Sequence, residues 1–278
     1  MLRNDGFLSI LAGAALGALL AGFSAPPFWQ GFWGGWILSA LCVFGLIRAW
    51  RWSGGEKTTG IILVLAFTLR IGLGVFIYAV LPNAGYADSV VQRAGYVYSD
   101  AYQRDQAAIQ LVQSGESVLS PLIKQVQSDQ YGGLMTISAL VYLVFSPDAA
   151  RPLLITLLGA FVMTAGMAFF WRALRERFNR RLALIATWVL ALYPEGLLLG
   201  ASQMREPFLI GLGCMAFWAA LQWKENKLKA FLVAAASLMG MVLISAPAAA
   251  VWGVTCLALI LLEWTLETDT TVNRWTGI

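Results

Sequence analysis

Histidine is absent from the 278 residues of this chain. Its absence removes the commonest ligand of haem, chlorophyll and transition metals, and the commonest general base near neutral pH. Any proton transfer must therefore fall to carboxylates, tyrosine or lysine. The three cysteines, Cys42, Cys214 and Cys256, lie inside apolar runs without metal-ligand or disulfide spacing, and we interpret them as small core residues. The cofactor stays unknown, with a divalent metal still open and haem or chlorophyll bound through histidine excluded.

Charged residues are also scarce, at 12% of the chain, whereas 59% of the residues are hydrophobic. This composition, with repeated apolar runs of 17 residues or more, predicts an integral membrane protein. We expect an all-α, polytopic helix bundle that forms a single domain over residues 1–278. Whether residues 229–264 form one span or two is open, because only a Ser-Ala-Pro turn divides them. About eight runs have the length that a bilayer requires: 7–24, 28–47, 60–82, 152–171, 182–202, 207–223, 229–246 and 248–264.

One further apolar run, residues 132–145, has fourteen residues. As a helix it would be about 21 Å long against about 30 Å of hydrocarbon, so we expect it to lie in or dip into the outer leaflet. With this run left out of the count, 13 of the 19 Lys and Arg fall on one side, five on the other and Arg70 within a span. The positive-inside rule then predicts cytoplasmic termini and one long outer loop, residues 83–131, in a bacterial or archaeal plasma membrane.

The outer loop contains a polar segment, residues 96–115, with two acids five residues apart, Asp100 and Asp105. Its apolar positions have helical spacing, which predicts a short amphipathic helix on which the two acids diverge by about 140°. We expect Asp100 to face a cavity on the outer side together with Glu206, and Asp105 to face solvent or a local basic group such as Arg104. The alternative is that both are ordinary loop acids.

A second polar turn, at residues 193–208, carries Glu195, Arg205 and Glu206 near the outer ends of two spans. Charges at this depth are costly and normally have a partner. In one interpretation Glu206 and Pro207 simply begin the next helix, because an acid favours the positive end of a helix. In the other, Arg205 binds a phosphate oxygen and Glu206 orients a sugar hydroxyl or a metal.

Arg70 lies in the middle of a predicted span. An unpaired guanidinium there would cost about 2.5 to 3.5 kcal/mol on insertion scales. We therefore expect it to face protein, a polar cavity or a lipid phosphate, and we favour an internal partner.

The order of these features resembles the GT-C class of glycosyltransferases that use polyprenyl phosphates, the superfamily of protein O-mannosyltransferases and aminoarabinose transferases. The resemblance covers roughly residues 60–223, with two additional spans in residues 1–59 and a hairpin and tail in residues 224–278. A span with a central arginine precedes the outer loop, a short apolar helix follows, and the next two spans end in a basic stretch and in Tyr-Pro-Glu. The matching residues are Arg70, Asp100, Tyr102, Ala107, Ala108, Leu111, Gly115, Trp171 to Arg181, Tyr193 to Glu195, Arg205 and Glu206.

The resemblance implies that Asp100 is the catalytic base, that Glu206 supports the site and that the donor is a polyprenyl-phosphate sugar. Arg205, with Tyr102, Arg104 and Arg70, forms the candidate substrate-binding set. The chain lacks the later helices of complete family members, which keeps a second hypothesis open: a catalytically inactive scaffold or lipid-binding subunit of a larger membrane complex. In either case we expect membrane lipid and another membrane protein or a second copy as partners, and no nucleic acid. A transporter ranks third, because the chain has no evident inverted repeat.

Overall fold

A computed structural model describes the backbone of residues 2–123 and 132–275, and the side chains of residues 4–123 and 132–265. Every regular element within these ranges is helical, which confirms the predicted all-α bundle. The last part of the 83–131 loop, including Lys124, lies outside the described residues. The helices are α1 (Leu2–Gly22), α2 (Phe28–Trp52), α3 (Lys57–Ala84), α4 (Val90–Arg93), α5 (Ser99–Ser114), α6 (Gly133–Phe145), α7 (Pro152–Arg177), α8 (Arg180–Leu192), α9 (Pro194–Gly200), α10 (Glu206–Leu221), α11 (Lys227–Ile244) and α12 (Ala246–Trp275).

Six helices in the described part of the chain, α1, α2, α3, α7, α11 and α12, are long and apolar enough to cross a bilayer. Helices α8 and α9 together pass the same test as one span with a 51° bend. Helix α10 has 16 residues and so is only about 24 Å long. The chain is thus an integral multi-pass membrane protein. The question left open for residues 229–264 is also answered, because Ser245 separates two helices there.

Contacts between helix ends define two ends of the bundle. At the basic end, Asp5 near the start of α1 forms an ion pair with Arg51 near the end of α2. Arg180, at the start of α8, forms an ion pair with Glu56, which precedes α3. Lys229, near the start of α11, lies 5.3 Å from the Trp52 ring centroid. The helices of the bundle therefore alternate in direction between the basic end and the opposite end, which we call the loop end.

The short helix α6 lies along the loop end. The backbone of Gly133, at its start, packs on the Leu243 carbonyl at the end of α11. The carbonyl of Phe145, at its end, packs on Gly34 near the start of α2. Because both termini of α6 contact the same end of the bundle, this helix does not run between the ends. Its bounds match the apolar run predicted to remain in one leaflet.

Close backbone packing holds the centre of the bundle together. Helix α7 is the most enclosed of the six candidate spans, with 72% of an apolar 18-residue stretch buried inside the protein. Gly166 of α7 lies directly on Gly211 of α10, where an added Cβ atom would collide with the Gly211 carbonyl oxygen. Gly13 and Gly17 give α1 a similar approach to α2, as small residues do in membrane helix pairs.

Candidate functional site

A buried polar cluster at the loop end is centred on Asp105. Its side chain on α5 is fully buried. The Tyr96 hydroxyl donates a hydrogen bond to Oδ2 at 2.5 Å, and the Tyr142 hydroxyl of α6 donates to Oδ1. Burial raises the pKa of Asp105 to about 6, although both tyrosines, and to a smaller extent Arg104 and Gln203, act to lower it. Asp105 thus joins α5 to α6 through charge-assisted hydrogen bonds.

The expectation that Asp100 faces inward and Asp105 outward on α5 is wrong. Asp105, expected to face solvent or a basic group, points into the protein. Asp100 is exposed in the first turn of α5, where the Ser99 hydroxyl lies 3.5 Å from Oδ1. Asp105 follows Ala101 by four residues and precedes Ala108 by three, so all three lie on the buried face of the helix. The two acids do point in different directions, but Asp105 is the buried one and Asp100 the exposed one.

A small cavity lies beside this cluster. It has a volume of about 30 Å³, enough for no more than a few water molecules. Its wall combines the C-terminal half of α3, the segment before α5, the start of α7 and the turn before α10. The tyrosines Tyr78, Tyr96 and Tyr98 line it together with Gln203. Three phenol rings and one side-chain amide thus form part of the wall of a space that adjoins the Tyr96–Asp105 hydrogen bond.

Two of the predicted substrate-binding residues contact protein at this site. Arg104 is buried, and its Nη1 donates to the Gln203 carbonyl oxygen at 2.7 Å. This bond connects α5 directly to the turn before α10. Tyr102 is partly buried and lies edge to face against Tyr96, with 5.3 Å between the ring centroids. Each residue therefore contacts a residue of the cavity wall, Gln203 for Arg104 and Tyr96 for Tyr102.

Two acidic residues lie near Tyr98, which lines the cavity. Glu206 is the first residue of α10, and its Oε1 lies 3.7 Å from Nε of the half-exposed Arg205. Burial raises the pKa of Tyr98, and the negative charges of Glu206 and Glu195 raise it further. Tyr98 therefore lies near both acids, two residues before Asp100. Among the residues that the structure describes, no group of three or more cysteines and acids could hold a metal ion.

Arg70 has internal partners, as favoured from the sequence. It is fully buried, and Nη1 donates to the carbonyls of Ala66 at 2.8 Å and Ala191 at 3.3 Å. Ala191 lies in the last turn of α8, just before the break at Pro194. Carbonyls at a helix C-terminus lack intrahelical donors and carry partial negative charge. Arg70 therefore contacts both sides of the break between α8 and α9, since Gly200 of α9 packs against its side chain.

Sequence reasoning did not identify Tyr96, Tyr142 or Gln203. The spacing of Ala101, Asp105 and Ala108 could have placed Asp105 on the buried face, and a buried acid requires hydrogen-bond donors. The partners on α6 and on the turn before α10 carried no such signal.

The chain matches no protein-family model, no curated protein and no solved structure.

Proposed function

We propose that the chain is a membrane glycosyltransferase that moves a sugar from a polyprenyl-phosphate donor to an acceptor at the loop end. The observation that carries this proposal is the meeting of two distant segments. The segment of residues 95–98 and the turn of residues 201–203 line one cavity. The hydrogen bond from Arg104 to the Gln203 carbonyl also connects α5, which follows the first segment, to this turn. The GT-C resemblance places the catalytic acid, Asp100, two residues after the first segment and its supporting acid, Glu206, three residues after the second.

Asp100 is proposed as the general base. Its exposed carboxylate can accept the proton of an acceptor hydroxyl, whose oxygen then bonds to the anomeric carbon as the bond from that carbon to the phosphate oxygen breaks. The products are the glycosylated acceptor and the polyprenyl phosphate, with inversion at the anomeric carbon. Arg205, with 45% of its side chain exposed, is free to contact the departing phosphate. Glu206 supports the rim beside Tyr98.

For this reaction the loop end is proposed to face the outside of a bacterial or archaeal plasma membrane, with both termini in the cytoplasm. The clustering of Arg51, Arg172, Arg180 and Lys229 at the opposite end supports this orientation. Single cysteines introduced by Ser114→Cys and Pro147→Cys should react with an impermeant thiol reagent added to intact cells. One introduced by Asn179→Cys should react only after permeabilisation. The reverse pattern would reject the orientation.

The enzymatic proposal is tested with purified protein in vesicles. Polyprenyl-phosphate sugars, each labelled in the sugar, are supplied with a lipid or peptide acceptor fraction, and release of free polyprenyl phosphate is measured. We expect release from one donor and its loss on Asp100→Asn or Glu206→Gln. Asp88→Asn, at an exposed acid of the same loop, is the matched control. Absence of release from every donor by folded protein would count against the activity of this chain alone.

One observation favours the alternative of an inactive scaffold or lipid-binding subunit. The cavity of about 30 Å³ is too small for a sugar ring, so a sugar would need additional space. A partner protein or a second copy could supply it. Gentle detergent extraction followed by mass measurement distinguishes the cases, because the scaffold interpretation requires a complex, whereas a strictly monomeric particle with transferase activity would exclude it.

A further inference from the structure

Asp105 takes no part in the proposed chemistry, yet the elements around it direct polar groups toward it. Tyr142 approaches from α6, Tyr96 from the segment before α5, and Tyr78 from α3 lies close enough to feel its charge. Arg104 and Gln203 supply the remaining charged and polar surroundings. The two tyrosine hydrogen bonds to this carboxylate connect α5 with α6 and with the segment before α5.

The two tyrosines that donate to Asp105 lie in different parts of the protein. Tyr96 lines the cavity, so its hydrogen bond at 2.5 Å holds one wall of that cavity in place. Tyr142 is fully buried in the core that α6 shares with α3 and α7. A buried hydroxyl that loses its acceptor is costly, whereas a satisfied polar network specifies one arrangement. By accepting hydrogen bonds from both tyrosines, the carboxylate therefore holds the cavity wall against the packed core.

We propose that Asp105 is the positioning residue of this site: through Tyr96 and Tyr142 it fixes the cavity wall and the first turn of α5, which carries Asp100, against α6. The inference rests on the proposed function for the role of Asp100. We call the wall closed when both tyrosine hydrogen bonds to Asp105 are formed, as in the structure, and open when they are broken. The balance between the closed and open wall can be measured without any substrate.

Protonation of Asp105 gives this closure a definite pH dependence. In the closed wall the pKa of Asp105 is about 6, compared with an ordinary value of 3.8 for a solvated aspartate. The closed form therefore binds the proton more tightly than an open form does. Closure is most favourable below pH 3.8 and becomes weaker as the pH rises through 6.

The experiment compares two introduced cysteines on α5. Ala101→Cys places a thiol in the cavity wall, whereas Gln103→Cys places one on the exposed face two residues away. The native cysteines Cys42, Cys214 and Cys256 are buried, so background labelling is low. The ratio of labelling rates at the two positions cancels the pH dependence of thiol chemistry and reports opening of the wall.

With Asp105 present we expect a low ratio that decreases further when the pH is lowered from 7.5 to 5. Asp105→Leu leaves two phenol hydroxyls without their acceptor and should raise the ratio about tenfold. Asp105→Asn keeps an acceptor but does not titrate, so its ratio should not change with pH. If Asp105→Leu prevents folding, Tyr142→Phe replaces it and should raise the ratio by several-fold, because the carboxylate loses one donor.

An unchanged ratio in folded Asp105→Leu or Tyr142→Phe protein would overturn the proposal, and so would the same pH dependence in Asp105→Asn. The proposed function has an independent readout. Loss of closure without any transferase activity in the native chain would reject the enzyme and retain Asp105 as a positioning residue. Full activity with an unchanged ratio would do the reverse. In an active chain, Asp105→Asn should flatten the pH profile of turnover between 5 and 7, which a packing defect alone would not do.

Discussion

The basic end and the loop end of the bundle use charge in different ways. At the basic end, the guanidinium of Arg172 lies 4.5 Å from the Trp52 ring centroid and forms an ion pair with Glu176 at 2.8 Å. It also donates to the Trp52 carbonyl oxygen at 2.8 Å. At the loop end, Asp100 is exposed, and Arg205 and Glu206 are partly exposed. Arg51, Arg172 and Arg180 at the basic end thus form ion pairs with acids of the fold, while Asp100 at the loop end remains accessible.

This difference separates residues that build the bundle from residues that could meet a substrate. Trp52, Phe169 and Trp218 form a cluster of rings with centroids 4.3 to 5.4 Å apart, and Lys229 lies over two of them. Such cation–π and aromatic contacts stabilise helix packing. Substitutions at the basic end should therefore change stability. Substitutions of the exposed and partly exposed loop-end residues Asp100, Arg205 and Glu206 should change activity with little effect on stability.

The largest effect is expected at Asp100. If the chain is a transferase, Asp100→Asn keeps the shape of the side chain but removes its basic oxygen, and turnover should decrease by about 10² to 10⁴ fold. Melting temperature should remain close to that of the native protein, because the native carboxylate is exposed. Release of polyprenyl phosphate measures the first quantity and intrinsic fluorescence the second. Equal loss of turnover in Asp88→Asn would show that the effect is not specific to this position.

At the basic end the largest change should come from Trp218→Ala. The ring is 1% exposed and packs against Trp52 and Phe169, so its removal should cost about 3 to 5 kcal/mol of unfolding free energy. Trp29→Ala is the matched control, because that ring is 66% exposed and should cost far less. Denaturant titration in detergent micelles measures both. Similar costs for the two variants would contradict the structural role assigned to the ring cluster.

A smaller, pH-dependent change is expected from Asp105. Because its pKa rises from 3.8 to about 6 on folding, stability is fully present below pH 3.8 and is lost as the pH rises through 6. The loss amounts to about 3 kcal/mol on the scale of 1.36 kcal/mol per unit. The difference in unfolding free energy between the native chain and Asp105→Asn, measured from pH 4 to 7.5, isolates this contribution. A difference that does not vary with pH would contradict it.

The fold was largely predictable, because a bilayer fixes how long an apolar helix must be. The same reasoning identified α6 as too short to cross, and its observed bounds, Gly133–Phe145, differ by one residue from the predicted start. Helices α8 and α9 are separated by a 51° bend, where the sequence predicted one continuous span over residues 182–202. That break follows from Pro194, whose missing N–H cannot continue the helix.

The site was less predictable, because its partners come from elsewhere in the chain. Tyr142 is 37 residues from Asp105 and lies in an apolar run, where nothing in the pattern distinguishes it from a core residue. The distant partner of Arg70 at Ala191 is a backbone carbonyl, which every residue has. A helix broken in the membrane requires donors for its free carbonyls, and only the packed structure identifies the donor.

The smallest effect distinguishes two arginines at the same basic end. Arg180 is 49% exposed and pairs with Glu56, so Arg180→Gln should change the unfolding free energy by less than about 1 kcal/mol, as exposed pairs do. Arg172→Gln should cost more, because it removes a ring contact and a bond to the Trp52 carbonyl as well as the ion pair with Glu176. Denaturant titration at low and high salt tests both, since added salt should reduce the Arg180 contribution while leaving most of the Arg172 contribution unchanged. If the two variants respond equally to salt, the basic end is held by general electrostatic attraction rather than by its specific aromatic contacts.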